Sequence, residues 1–204
     1  IEVFVPENEA VKISNVKLKN ISNKNRNLKL LIYIKPVLGE DEILTNGNIE
    51  VTKEKNIIYA KNILPEEQFD RPMFLSSSIP ISSFTGNKDI FLGSKSLKDP
   101  RALYEKLDQK NGLGKNSCVA LEIEIELNAY ENKEFAIMLG QEEKEKIKEI
   151  VDKFKDNLNR ENALLKVKQN WNNMTQKLSV KTPSESINLL INGWLIYQTL
   201  SSRL

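Results

Sequence analysis

The stretch "CVALEIEIELN", residues 118–128, alternates residue by residue. Val119, Leu121, Ile123, Ile125 and Leu127 fall on one side of an extended chain, and Glu122, Glu124 and Glu126 fall on the other. That pattern predicts a strand with one buried face and one wet face, as in an antiparallel sheet. The next residues turn the chain back into "FAIMLG" (135–140). Upstream, "VKISNVKLKN" (11–20) has Val11 and Ile13 on one phase and Val16 and Leu18 on the other, which predicts a bulge near Ser14–Asn15. "LKLLIYIKPVL" (28–38) sets Leu28, Leu30, Ile32 and Ile34 against Lys29, Leu31, Tyr33 and Lys35, with Pro36 marking an edge or a bend. "NGN" (46–48) is a turn signal, and "NIIYAKN" (56–62) and "PMFLSSS" (72–78) read as short strands. Strands at this spacing predict an antiparallel β-sandwich over residues 1–140.

From Gln141 the period changes. Ile147, Ile150, Val151, Phe154 and Leu158 recur at helical spacing, and a second helix carries Leu164, Val167, Trp171, Met174 and Leu178. These amphipathic helices, within 141–181, read as a linker or packing pair. Then Thr182 as N-cap, Pro183 at the first helical position and Glu185 completing a capping box predict a new helix over 182–204. It is apolar on nearly every face: Ile187, Leu189, Leu190, Ile191, Trp194, Leu195, Ile196, Tyr197, Leu200 and Leu204. Such a helix belongs inside something larger. In this chain it is expected to lie against the linker helices and the sandwich, or against a second copy. With Ile1 in the first position instead of Met, the chain reads as an internal segment of a longer polypeptide. The fold class by content is α+β.

Composition narrows the chemistry. The 204 residues carry a net charge of +2 from 30 basic and 28 acidic side chains, which gives no nucleic-acid footprint. No run of about 18 apolar residues exists to span a membrane. The single cysteine, Cys118, has no internal disulfide partner, which fits a reducing, cytoplasmic setting. There is no histidine, so a Ser-His-Asp triad, a Cys-His pair and a His metal site are excluded. Walker, GxGxxG, CxxC and HExxH patterns are also missing, and "GLG" (112–114) lacks the strand-before, helix-after setting of a phosphate loop. Glu122, Glu124 and Glu126 read as a solvated sheet face, not an acid/base pair. Cys118 reads as a small buried hydrophobe. Core packing is the expectation for Trp171 and Trp194, and for Tyr59, Phe69, Phe74 and Phe84, although each of these four suits stacking on a sugar.

The long connection, roughly 80–116, is the exception to this plain reading, because such lengths are usually functional or packed on something. Within it "DPRALYEKL" (99–107) predicts a short helix capped by Asp99. In or near it lie Arg71, Thr85, Asn87, Lys88, Asp89 and Lys95, donors and acceptors that suit hydroxyls or phosphate. The alternative is a loop bonded to itself that pins the sandwich to its neighbour.

"SSFTGNKDIFLGSKSLKDPRAL" (82–103) resembles the "SFTGDRxEFLGRxGSLxxPxAL" segment of glycoside hydrolase family 94, formerly glycosyltransferase family 36. The neighbours agree. "NVKLKNISNKNRNLKLLIYIKPVLG" (15–39) resembles "LxLxNxSxxxRxLxVTxYxExVLG", and "GLGKNSCVALEIEIEL" (112–127) resembles "GxGxDPCAALQxxxxL". "FAIMLGQ" (135–141) is similar to "VxFLLGQ", and "VKTPSESINLLINGWLIYQTLSSRL" (180–204) to "VxTPDxxxNxLxNxWLxYQxLxxRL". The branch it looks most like is that of cyclic β-1,2-glucan synthases and β-oligoglucan phosphorylases.

The resemblance implies a β-supersandwich (1–140), a helical linker (141–181) and the first helix (182–204) of an α/α-barrel catalytic domain. It further implies inverting phosphorolysis of β-glucosides in the parent, with inorganic phosphate as co-substrate, no other cofactor, and the acid Asp outside this chain. This piece would be non-catalytic. It would dock on the barrel of the same polypeptide and shape the rim of a site for β-glucan oligosaccharides through Thr85, Asn87, Lys88, Asp89 and Lys95. A homodimer is a further assembly it suggests, and a parent of the cyclic-glucan-synthase type would be membrane-attached. A free-standing carbohydrate-binding module and a purely structural or dimerisation domain are the rival readings. The family's Asp and Arg of "TGDR" are Asn87 and Lys88 here, and the Arg of "FLGR" is Ser94. Lysines keep charge there but not the bidentate fork of arginine.

Overall fold

Among the described residues the alternation in the sequence produces ten strands, and each pairing among them is antiparallel. The structure is a computed structural model that describes residues 1–39, 45, 47–64, 71–177 and 179–202. The expectations for Asn46, Phe69, Leu178 and Leu204 fall outside those residues. The chain forms two compact units, Ile1–Asn159 and Arg160–Leu204.

In the first unit the strands are β1 (Glu2–Phe4), β2 (Val11–Lys19), β3 (Arg26–Ile34), β4 (Ile49–Glu54), β5 (Ile57–Asn62), β6 (Met73–Ser77), β7 (Ser83–Asn87), β8 (Gly112–Leu113), β9 (Ser117–Leu127) and β10 (Asn132–Gln141). They make a seven-stranded sheet, ordered β1-β2-β10-β6-β5-β4-β8, and a three-stranded sheet, β3-β9-β7. One apolar core joins the two. Val16, Val51, Ile58, Leu75, Phe135 and Ile137 from the larger sheet meet Phe84, Val119, Leu121, Ile123, Ile125 and Leu127 from the smaller. Each such side chain contributes about 1.5–3 kcal/mol when fully withdrawn from water.

The other face of the large sheet is covered as well. Helix α2 (Lys144–Lys155) lies against β6 and β10 and buries Ile147, Ile150, Val151 and Phe154. Lys144 stands over the Tyr59 ring at 5.2 Å, and Lys153 reaches Glu9. This explains the phase switch in β2. Its register against β10 runs without a break from Val11↔Gly140 to Lys19↔Asn132, so the bulge expected at Ser14–Asn15 is not there. Val11 and Ile13 are buried on the helix side and Val16 on the sandwich side, because both faces of this strand are covered. A register shift does occur in β7, between Thr85 and Asn87.

The second unit holds most of α3 (Asn157–Thr175) and a helical run made of α4 (Glu185–Leu189), a π turn (Leu190–Trp194) and α5 (Leu195–Ser201). The expected capping box is replaced. The helix starts at Glu185, and its N-cap Ser184 makes no side-chain cap bond. Instead, two asparagines one turn apart clasp the extended chain before it. Asn188 accepts the Thr182 N–H at 2.7 Å and donates to the Thr182 carbonyl at 3.0 Å. Asn192 does the same for Val180, at 2.8 and 2.9 Å. Four helical residues rise about 6 Å, and two extended residues span about 6.6 Å, so the amides stay in step with the strand.

In the single chain most apolar side chains of this helix stand exposed. Leu189 is 77% exposed and Trp194 53%, and Ile187, Leu190, Leu195, Tyr197 and Leu200 are exposed too. Core packing fails for Trp171 as well, at 40% exposed. No helix among the described residues is long and apolar enough to cross a membrane.

Candidate functional site

The long connection is an arm, residues 88–111, that leaves β7 and returns into β8. Its base is set by the crossover before β7. The Asn56 side chain donates to the Ser77 and Ile79 carbonyls at 2.7 and 2.9 Å and accepts the Ile81 N–H at 2.8 Å. On its return the arm runs beside β7: Gln109 N–H donates to Phe84 O and Gly86 N–H to Lys110 O, both at 2.9 Å. It then crosses to the other sheet, where β8 pairs with β4. The crossing requires two glycines in contact. A Cβ on Gly86 would lie 2.2 Å from Gly112 N, and one on Gly112 would lie 1.9 Å from Gly86 O. The "GLG" stretch is therefore a strand joining two sheets.

Between its ends the arm folds onto the outer face of the small sheet. Helix α1 (Lys88–Leu92), a 3₁₀ turn (Arg101–Leu103) and the segment after it place Phe91, Ala102 and Leu107 over Cys118, Ala120, Leu31 and Tyr33. Phe91 and Tyr33 have ring centroids 4.9 Å apart. Cys118 is buried here, as its sequence setting suggested, and burial above all pushes its thiol up to about 12, with Asp108 and Asp89 adding to the rise.

The candidate residues separate into two groups. Thr85 is fully buried, and its hydroxyl oxygen accepts the Asn87 N–H at 3.1 Å. Asn87 caps α1 by accepting the Asp89 N–H at 2.8 Å, and Asp89 accepts a bond from the Asn116 side chain at 2.6 Å. Lys88 sits between them, half-buried; its backbone N–H donates to Asn116 O at 2.7 Å, and its ammonium makes no hydrogen bond or ion pair among the described residues. Lys95 belongs to a second group. It meets Asp99 at 3.1 Å and stands 4.0 Å over the Tyr104 ring, while Tyr104 donates to Asp99 at 2.7 Å. That hydroxyl, and then Lys95, hold the Asp99 carboxyl below its ordinary range. Asp99 thus closes this triad in place of capping a helix, and the expected helix is only the single 3₁₀ turn. Arg71 lies with neither group, since it pairs with Glu142 at 3.5 Å and Glu143 at 3.7 Å. Among the described residues, no three Cys, Asp or Glu side chains converge to hold a metal ion.

The acidic row of β9 is the wet face expected at two of its three positions. Glu122 is fully buried, because the arm covers that end of the sheet, while Glu124 and Glu126 stay exposed. Lys29 approaches the Glu122 carboxylate at 3.3 Å and donates to the Ala102 carbonyl at 3.4 Å. Lys106 of the arm meets Glu124 at 3.3 Å. Sequence reasoning missed these pairs. The available signal was Lys29, which falls on the same phase of β3 as Leu31 and Tyr33.

With that geometry in view, a family model described as "Glycosyl hydrolase 94, supersandwich domain" matches residues 1–157. The chain belongs to this family. Its match ends within two residues of the end of the first compact unit. The N,N'-diacetylchitobiose phosphorylase of Vibrio proteolyticus is 23% identical over 206 residues, covering 96% of this chain and 25% of that protein. The same enzyme of Vibrio furnissii is 22% identical over the same shares. Cyclic β-(1,2)-glucan synthase NdvB of Rhizobium meliloti (strain 1021) is 24% identical over 200 residues, covering 95% of this chain and 7% of that protein. The chain spans a quarter or less of the length of these relatives.

Proposed function

We propose that this chain is the non-catalytic supersandwich and linker portion of a phosphate-dependent β-glycoside-processing enzyme. In this reading residues 141–181 link the sandwich to an α/α barrel, and 182–204 form the barrel's first helix. The sandwich docks on the barrel, and the arm shapes the rim of its site in the cytoplasm. The observation that carries the reading is the supersandwich match over 1–157, with a phosphorylase and a glucan synthase among the relatives. The engagement of the arm's carboxylates supports a non-catalytic role: Asp89, Asp99 and Glu105 are each held by a donor. Lys88, whose ammonium is unengaged among the described residues and which stands at the base of the arm beside Asn87 and Asp89, is the arm residue we assign to meet an anionic or hydroxyl-bearing group.

The test is turnover by the full-length parent on β-linked disaccharides and oligoglucans, chitobiose included, with and without inorganic phosphate. Phosphate-dependent release of a sugar 1-phosphate is expected, with none from the 204-residue chain alone. No phosphate-dependent turnover on any of these substrates sinks the proposal.

One observation favours a second reading, in which the sandwich itself holds saccharide. The Tyr104 ring is 68% exposed, yet Asp99 and Lys95 fix it in place, as a stacking platform requires. Saturable binding of β-1,2- or β-1,4-glucans by the chain, abolished by Tyr104→Ala, would favour this reading; no binding rejects it.

A further inference from the structure

We propose that Lys29 and Glu122 form a latch that fixes the position of the arm on the sheet. Glu122 sits on β9, the central strand of the small sheet, opposite Leu31 of β3 and Ser83 of β7. Its carboxylate is fully buried, and neither oxygen accepts a hydrogen bond; the Ser83 hydroxyl opposite it is also buried without a partner. Among the described residues the one compensation in reach is the Lys29 ammonium at 3.3 Å. Lys29 is in register with Glu124, not Glu122. It leans diagonally to the buried acid and uses another proton to hold the arm at Ala102 O, at 3.4 Å. Glu124 is left to Lys106, which comes from the arm itself. Two neighbouring acids of one strand are therefore both committed to the arm.

A pair with this geometry contributes little net stability, because desolvating two charges offsets most of their attraction. A Leu at 122 would pack as well. What the pair adds is direction. Phe91, Leu107 and Ala102 hold the arm by apolar contacts that tolerate sliding, whereas an ammonium shared between a buried carboxylate and one carbonyl does not. Once the lysine is removed, the carboxylate is stranded, and the arm must lift for water to reach it.

Hydrogen exchange on the 204-residue chain tests this directly. Lys29→Met should raise exchange of residues 99–107 at least tenfold and leave the β10 core, 135–139, unchanged. Lys29→Arg should restore protection. Glu122→Leu strands no charge and so keeps the sandwich folded, and it too should loosen 99–107. The latch is wrong if 99–107 stays as protected in Glu122→Leu as in the parent chain. It is also wrong if Lys29→Met loosens core and arm alike. The latch gains functional meaning from the rim reading, but this readout needs no turnover. A loosened arm with unchanged kinetics in the parent enzyme would retire the rim and keep the latch.

Discussion

Gly86→Ala isolates the crossing that closes the sandwich. The new methyl would stand 2.2 Å from Gly112 N, 2.6 Å from Gly112 Cα and 2.8 Å from the Asn111 carbonyl carbon. All three are backbone atoms, so no side chain can swing aside. The two segments must part by roughly 1 Å before contacts become ordinary. That displacement takes both 2.9 Å bonds of the return segment, Gly86 N–H to Lys110 O and Gln109 N–H to Phe84 O, out of range. Each is worth about 1 kcal/mol, and overpacking costs a further 1–3 kcal/mol or so. The expected loss is about 3–5 kcal/mol, a large part of a typical total of roughly 5–15 kcal/mol. At about 2–4 °C per kcal/mol for a chain of this size, Tm should fall by about 6–20 °C. Thermal melts followed by circular dichroism measure this, with Gly193→Ala as control. A methyl on Gly193 meets nothing within 4 Å and should be neutral or slightly stabilising. If Gly86→Ala melts within about 2 °C of the parent chain, the two-glycine crossing does not hold the return segment.

Four other outcomes follow from the structure. Cys118 should resist thiol reagents at pH 8 in the native chain and react fully in denaturant; fast native labelling would contradict its burial. The Cys118 thiol and the Tyr59 hydroxyl are both pushed up to about 12, chiefly by burial, so the folded chain keeps protons that the unfolded chain releases. Stability should therefore decline as pH rises from about 9 towards 12, and Cys118→Ala should flatten the first part of that fall; a pH-independent Tm would refute it. In the second unit, Asn188→Ala should raise amide exchange at Thr182 by about tenfold and leave Val180, held by Asn192, unchanged. Acrylamide should quench both Trp171 and Trp194 efficiently, and a blue-shifted, protected emission would mean that these faces are covered in solution.

Much of the sandwich was legible because alternation is a local signal. Strands β9 and β10, consecutive in the chain but in different sheets, could each be read directly, and Tyr59, Phe74 and Phe84 are core residues as expected. What failed involved contacts distant in sequence. The β2 phase switch is a strand covered on both faces, and covering by a helix some 130 residues later leaves no local mark. Glu122 looks like Glu124 in sequence and differs only because the arm folds over it. The cap at Thr182 was misplaced because Asn188 and Asn192 bond Thr182 and Val180 of the preceding segment, and the helix starts only at Glu185. At the candidate site, sequence proximity grouped Lys95 with Lys88, yet the turn at Gly93 (φ 63°) sends Lys95 to its own triad. The long connection stood out by its length alone, and the resemblance to a known family added an expected role for it.

The arm departs from the sandwich and returns to it at nearly the same place. Lys88 N–H donates to Asn116 O at 2.7 Å, and Gly86 N–H to Lys110 O at 2.9 Å, so its two ends are fastened side by side. An excursion rooted this way behaves as an exchangeable cassette. Doubling its length would cost only about 0.6 kcal/mol in closure entropy, and the strands below would keep their register. Diversification at this position can thus proceed without renegotiating the core, provided that Gly86 and Gly112 stay as they are.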